Sequence, residues 1–331
     1  MPTINTLATH ALNDTDLTDL LRDIDHPPRE AYQKIASRAR HLYEAAKQKS
    51  WNASLDLEWP ESLPTDVSPT DEQDDPLAAF PPFENLSLAE QIDVRWQRHA
   101  LEINDILHGE QAAMLLAAQL VNCLPDGTGK LFACSQVADE ARHVEFFARY
   151  LHLLSRHLPE GKTQPPSPAL ARFIRQALQN PAWDMKLINC QILLESLALA
   201  RFQELRRTTR IPLLRKALKL IMRDEARHTH FGIVHLRDYL KSLPAEMREA
   251  KGQYVLDQTV QLIHSDRPMG ELARQFGWQS DPLRHHLRLA RLRRSAVIQR
   301  QLTQLRDNMA EAALLTRATE MRLRRLSGIS L

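Results

Sequence analysis

The pentapeptide Asp139-Glu140-Ala141-Arg142-His143 returns unchanged as Asp224-Glu225-Ala226-Arg227-His228, 85 positions later. Thirty residues before the glutamate of each copy stands another glutamate in an apolar, helix-like run: Glu110 in LHGEQAAMLLAAQLV and Glu195 in ILLESLALARFQEL. Glu110, Glu140 and His143 therefore map onto Glu195, Glu225 and His228 at one constant offset. On a helix, Glu and His three residues apart lie about 60° apart around the axis and less than one turn apart along it, so both reach one ion. One Glu from each of two helices, with a Glu-x-x-His pair from each of two others, is the donor set of a carboxylate-bridged two-metal bundle. Charge agrees, because four carboxylates offset two divalent cations. Without metal, four acids in a bundle core would each cost roughly several kcal/mol unless protonated.

In its repeat, its spacing and the order Glu, ExxH, Glu, ExxH, the chain resembles the ferritin-like di-iron carboxylate superfamily over roughly residues 87 to 245. By motif position, the resemblance implies Glu110, Glu140, His143, Glu195, Glu225 and His228 as ligands of two Fe ions that react with O2, with Mn/Fe or Mn as alternatives. It also implies that the acid before each ExxH, Asp139 or Asp224, hydrogen-bonds a ligand histidine across the site. A ligating imidazole needs its other N–H fixed, and a carboxylate does that while raising ligand basicity. The plainer reading makes Asp139 with Arg142, and Asp224 with Arg227, i,i+3 surface ion pairs of roughly a few tenths of a kcal/mol.

The expected fold class is all-α: a ferritin-like four-helix bundle with additional N- and C-terminal helices. Only nine glycines stand in 331 residues, which argues against a turn-rich β architecture. No apolar run is long enough to span a membrane, the start MPTINTLATHALNDTDL lacks the pattern of a secretion signal, and three cysteines form no CxxC. The expectation is a cytoplasmic protein with reduced thiols and no membrane partner.

Three regions follow. Residues 1 to 86 hold a polar, poorly periodic start to about residue 27, a leading helix from Pro28 to about Ser50, and a wrapping segment with six prolines from Pro60 to Pro82, pinned by Trp51, Trp59 and Phe80. Residues 87 to 245 hold the bundle. Ser87 with Glu90 reads as a capping box opening a helix to about Asn122; the DEARH helices run from about Lys130 to Leu158 and from near Pro212 to Pro244. Pro159 and Pro244, which stop them, are again 85 apart. Between them lie a short helix near 168 to 179 and a helix from about Ala182 to Arg207. Residues 246 to 331 supply outer helices at about 245 to 264 and 269 to 277, then one long Arg-rich helical pattern over 282 to 326. Residues 51 to 94 carry eleven acids and no Lys or Arg, whereas 284 to 331 carry eleven arginines and three acids. This segregation predicts an acidic segment lying on basic helix surface, in its own chain or across a homodimer. ELARQFGWQ and the arginines after it are a faint helix-turn-helix signal, but net charge of +2 gives no general attraction, so no nucleic acid is expected.

What surrounds the donors narrows the chemistry. The position of the radical tyrosine of ribonucleotide reductase small subunits holds Phe147. Ala112 and Cys190 stand where the ligand-binding oxidases form a valine–tyrosine cross-link. The threonines of multicomponent hydroxylases and acyl-carrier desaturases are replaced by Leu199 and Ala198. The p-aminobenzoate N-oxygenases add a third histidine four before the fifth ligand; here that residue is Ile221, which argues against that branch. The remaining neighbours are apolar. Ala113, Met114, Ala117, Phe147, Ala198, Leu199 and Phe202 line the candidate pocket, and small Ala113, Ala117, Ala198 and Gly232 are expected to leave room for an organic substrate, although such stripes also serve as plain bundle core. His235 shares the face of His228 and reads as a core hydrogen-bonding residue or, as the alternative, a neighbour of the substrate region, while His41, His108 and His230 read as non-ligands. No catalytic group beyond the ligands is assigned. The expected function is a di-iron oxygenase or oxidase acting on a small organic molecule, with an electron donor as partner. The alternatives are an iron-handling ferroxidase and a dimanganese catalase-like enzyme.

Overall fold

The computed structural model describes residues 38–71, 75–263, 269–293 and 295–327. The predicted loop over 1 to 27 and the first part of the leading helix lie outside the described residues. In chain order the helices are α1 (Arg38–Gln48), α2 (Leu88–Cys123), α3 (Gly127–Leu153), α4 (Pro168–Gln179), α5 in three parts (Trp183–Leu187, Ile188–Leu194, Glu195–Thr208), α6 (Pro212–Ser242), α7 (Ala245–Ile263), α8 (Met269–Gln275), α9 (Ser280–Arg293), α10 (Ser295–Glu311) and α11 (Arg317–Ser327). The β pairing among the described residues is a single bridge, Thr70 to Thr209.

Local chemistry sets the ends of three of the long helices, α2, α3 and α6. Ser87 Oγ accepts from Glu90 N at 3.4 Å while Ser87 N donates to Glu90 Oε2 at 2.8 Å, closing the capping box of α2. The Asp126 carboxylate accepts from Gly129 N at 2.7 Å and starts α3. Pro212 opens α6, where its missing N–H costs nothing, and α6 stops before Pro244. Helices α2 and α3 pack along one another as one hairpin, and α5 and α6 as the other.

Each of these helices passes from one apolar cluster to a second at its acidic positions. On α2, Val94 to Leu107 belong to a cluster with Phe146, Phe147, Tyr150, Phe202 and Leu214, whereas Ala113 to Leu124 belong to one with Phe132, Leu187, Phe231 and Leu236. Glu110 lies between. The order reverses along α3 and α5 and repeats along α6, so the donors form one polar layer between two apolar ones.

The segment before α2 is threaded onto this bundle. Trp51 is buried, the Trp59 ring lies 5.5 Å from Phe146, and Phe80 meets Trp278 edge-on at 5.4 Å. Asp75 is buried against Arg95 at 2.6 Å, and Trp96 Nε1 donates to Val67 O at 2.9 Å. Asp71 pairs with Arg210 at 3.0 Å and Glu58 with Lys216 at 3.6 Å, so the acidic segment meets basic residues of its own chain.

Among the described residues, the expected long helical pattern over 282 to 326 is interrupted after Glu311. After Glu311, Ala313 adopts φ 64°, Leu314 N bonds back to Met309 O at 2.8 Å, and α11 begins on a mutual Thr316–Thr319 cap. Burial of Leu314 drives a turn that no Gly or Pro announces. The residues of the helix-turn-helix signal pack on the wrapping segment through Trp278.

Candidate metal centre

The structure brings all six predicted donors into the polar layer, each at most 4% exposed. They form two overlapping groups, Glu110–Glu140–His143–Glu225 and Glu140–Glu195–Glu225–His228. In each group one ligand atom per residue lies within 4.8 Å of the others. His143 Nδ1 is 3.1 Å from Glu110 Oε2, 3.2 Å from Glu140 Oε2 and 3.2 Å from Glu225 Oε1. His228 Nδ1 is 3.1 Å from Glu140 Oε1, 3.8 Å from Glu195 Oε1 and 3.0 Å from Glu225 Oε2. Glu140 and Glu225 belong to both groups, as bridging carboxylates would.

Behind each imidazole stands the aspartate of the other hairpin. His143 Nε2 lies 3.3 Å from Asp224 Oδ2, and His228 Nε2 lies 3.1 Å from Asp139 Oδ2. The arginines serve both aspartates: Arg227 reaches Asp139 at 2.9 Å and Asp224 at 2.8 Å, while Arg142 pairs with Asp139 and lies 3.7 Å from Asp224. The local i,i+3 pairs and the predicted cross-site bonds therefore coexist. Burial alone would raise Asp224 and Asp139, but hydrogen bonds and charge from His143 and His228 hold both below the usual carboxylate range.

These bonds fix the tautomers. With Nε2–H given to an ionised aspartate, each Nδ1 presents a lone pair to carboxylate oxygens, and acceptors facing acceptors at about 3 Å demand a positive charge between them. Protons meet that demand only awkwardly. Burial pushes Glu110 up to about 8 and, together with Glu225, pushes Glu195 well up. Burial disfavours charge on His143 and His228 too, yet the carboxylates around them push both well above the ordinary histidine value. Glu225 Oε1 lacks a hydrogen-bond partner though buried. Two divalent cations would satisfy every one of these atoms, so the donor set fits two metal ions.

Three neighbours touch the donor shell without having been expected there. Trp51 Nε1 donates to Asp224 Oδ2 at 2.7 Å, and its ring stacks on His143 with centroids 6.2 Å apart. Gln136 Nε2 donates to Glu140 Oε1 at 3.1 Å and to Glu195 Oε1 at 2.9 Å. Cys190 Sγ lies 3.7 Å from Glu195 Oε1. Gln136 was legible, being one turn before Glu140 on the same face; Trp51 lies outside the repeat and carries no periodic signal. The expected continuous helix over 182 to 207 contains a π turn at Ile188–Leu194, in which Glu195 N bonds back to Cys190 O. The turn carries Cys190, which meets Glu195, and Gln191, whose Nε2 donates to Gln136 Oε1 at 2.8 Å; such distortions are frequent at functional sites.

The candidate pocket residues do not gather in one place. Ala113 packs in the cluster of Phe132 and Phe231, whereas Phe147, Phe202 and Ala198 pack in that of Phe146 and Tyr150. Ala117 is fully buried, and Met114 and Leu199 are half-buried. Gly232 leaves no empty space, because Gln191 fills it. Among the other histidines, His235 Nε2 pairs with Asp126 Oδ2 at 2.6 Å, His108 bonds Gln164 O at 2.8 Å, and His41 and His230 are exposed, so none joins the cluster.

Residues 30–276 match the model of a known family, the p-aminobenzoate N-oxygenase AurF. The chain belongs to this family. The objection from Ile221 is thereby overturned: Ile221 is fully buried apolar core, and the membership stands without a histidine there. No curated protein matches the chain. Solved structures similar to it include two variants of an R2-like ligand-binding oxidase. One, with an anaerobically reconstituted Mn/Fe cofactor, has TM-score 0.53 and 19% identity; another, aerobically reconstituted, has 0.52 and 18%. Each match covers 82% of this chain and 94% of the other. At that identity the likeness concerns the fold, which is the expected ferritin-like bundle. As a member of the N-oxygenase family with a buried two-ion donor set, the chain is a di-iron-type oxidoreductase.

Proposed function

We propose that this chain uses dioxygen to oxidise a small organic molecule at two irons held by Glu110, Glu140, His143, Glu195, Glu225 and His228. The family's name makes an aromatic amine the first substrate class to test. The observation that carries the reading is the pair of Nδ1 atoms turned toward shared carboxylates by crossed Nε2–aspartate bonds. When bound, the metals supply the binding and reduction of dioxygen. The chain's own work is positional. Asp139 and Asp224 hold the imidazole N–H groups, Trp51 holds Asp224, Gln136 steadies Glu140 and Glu195, and the two apolar clusters exclude bulk water. Free Cys123, Cys134 and Cys190 support a reducing, cytoplasmic setting, and no described helix is long and apolar enough to cross a membrane. A separate electron donor and a homodimer belong to the same proposal.

Two metal ions per chain are expected by elemental analysis, with most of the metal lost from Glu140→Ala and from Glu225→Ala. One ion in fully loaded wild type, or undiminished loading in both variants, would remove the six-ligand assignment. Oxygen uptake should yield an oxidised organic product. Catalytic oxidation of added Fe(II), with no organic turned over, would replace the oxygenase with an iron handler.

A further inference from the structure

Gln136 is fully buried on α3, one turn before Glu140, and its amide reaches into the second donor group. Its Nε2 lies 3.1 Å from Glu140 Oε1 and 2.9 Å from Glu195 Oε1. Those are the oxygens that lie 3.1 and 3.8 Å from His228 Nδ1, while Glu140 shows its other oxygen to His143. One amide end, two carboxylate oxygens and one imidazole nitrogen thus gather around a single ion position.

Spacing and charge both suit a further donor at that place. Oxygen ligands bound at about 2.0–2.2 Å and at right angles stand about 3 Å apart, the separation that the Gln136 amide keeps from both oxygens. Four carboxylates already offset two divalent ions, so a further donor is tolerated best when it is neutral, as an amide carbonyl is. As hydrogen-bonding partners, carboxylates draw the N–H end of the amide; a divalent ion shared by the same oxygens draws the carbonyl end instead. The two ends differ little in shape, and a half-turn about the last side-chain bond exchanges them. Gln191 Nε2 donates to Gln136 Oε1 at 2.8 Å, and by turning as well it keeps that hydrogen bond with the roles exchanged. At the repeat offset of 85 the counterpart of Gln136 is Ile221, fully buried apolar core, so the repeat supplies no such donor to the first group.

We infer that Gln136 is a seventh ligand residue, its Oε1 bound to the ion that Glu140, Glu195, Glu225 and His228 share. This rests on the two-metal reading above and adds to it a neutral oxygen donor on the second ion only.

The test uses crystals of the full chain loaded with Mn(II), whose anomalous scattering locates both ions. The end of the Gln136 side chain should lie about 2.0–2.3 Å from the second ion, as a bound oxygen does. Gln136→Ile, which copies the counterpart residue, should weaken Mn(II) binding at the second position by about tenfold or more and change the first by less than about twofold, read by calorimetric titration. Two ions in place with the amide about 3 Å or more from the second, or a second affinity within about twofold of wild type in the variant, overturns the inference and leaves the two-metal reading intact. If the variant fails to fold, the distance in wild type decides alone. Wild type that binds fewer than two ions overturns that reading, and this inference with it.

Discussion

His99 lies fully buried on α2, its Nε2 3.0 Å from the Tyr150 hydroxyl and its Nδ1 without a partner. Burial, opposed by Glu102 and helped by Arg98 and His157, pushes its pKa down to about 4. The unfolded chain takes up this proton near pH 6.5 and the folded chain only near 4. The stability contributed is therefore present above pH 6.5 and is lost as pH falls toward 4. Between pH 7 and 5 the loss from this group should be about 2 kcal/mol, and His99→Gln should lack it. Denaturant titration of both proteins at both pH values measures the difference, and equal losses would refute it. A histidine in such a place carries no mark in the sequence, with Trp96 three residues before it and Asp184 at the repeat offset. The ligand histidines were legible because each carries a glutamate three residues before it and a copy 85 residues away. The buried place of Gln191 had no comparable mark, since it depends on a π turn and on a glycine of another helix.

Helices were legible where side chains cap them or prolines stop them, as at Ser87, Pro212 and Pro244. They were not where tertiary packing decides, as in the π turn before Glu195 and the left-handed Ala313. Glycine tests this at two points. A Cβ on Gly232 would meet Gln191 Cβ at 2.3 Å, so Gly232→Ala forces α5 and α6 apart. It should lower stability by about 1–3 kcal/mol. Gly109, in the middle of α2, has nothing within 4 Å of a built Cβ. There alanine should stabilise by about 0.5–1 kcal/mol. Thermal melts of the two variants should shift in opposite directions; a shift of the same sign in both would show that this packing has been misjudged.

At the scale of the molecule, the bundle was legible from the repeat alone, while the path of the leading segment into the centre was not, because nothing periodic links Trp51 to Asp224. The crossed bonds have a consequence for how the two halves relate. Each hairpin hands its aspartate to the other's histidine and takes one back, the reciprocity of an isologous dimer interface, here within a single chain. A covalently fused pair of this kind would hold two equivalent ions if the halves matched throughout. They do not: Trp51 braces Asp224 and, among the described residues, no indole braces Asp139, while Gln136 faces the donors where its counterpart is the apolar Ile221. The ions should therefore bind in sequence. Crystals given one equivalent of metal should show one position filled ahead of the other by anomalous scattering, and Asp139→Asn and Asp224→Asn should weaken opposite positions. Equal partial filling would mean the twin halves still act alike, and that the tryptophan and glutamine breaking their likeness leave the metals indifferent.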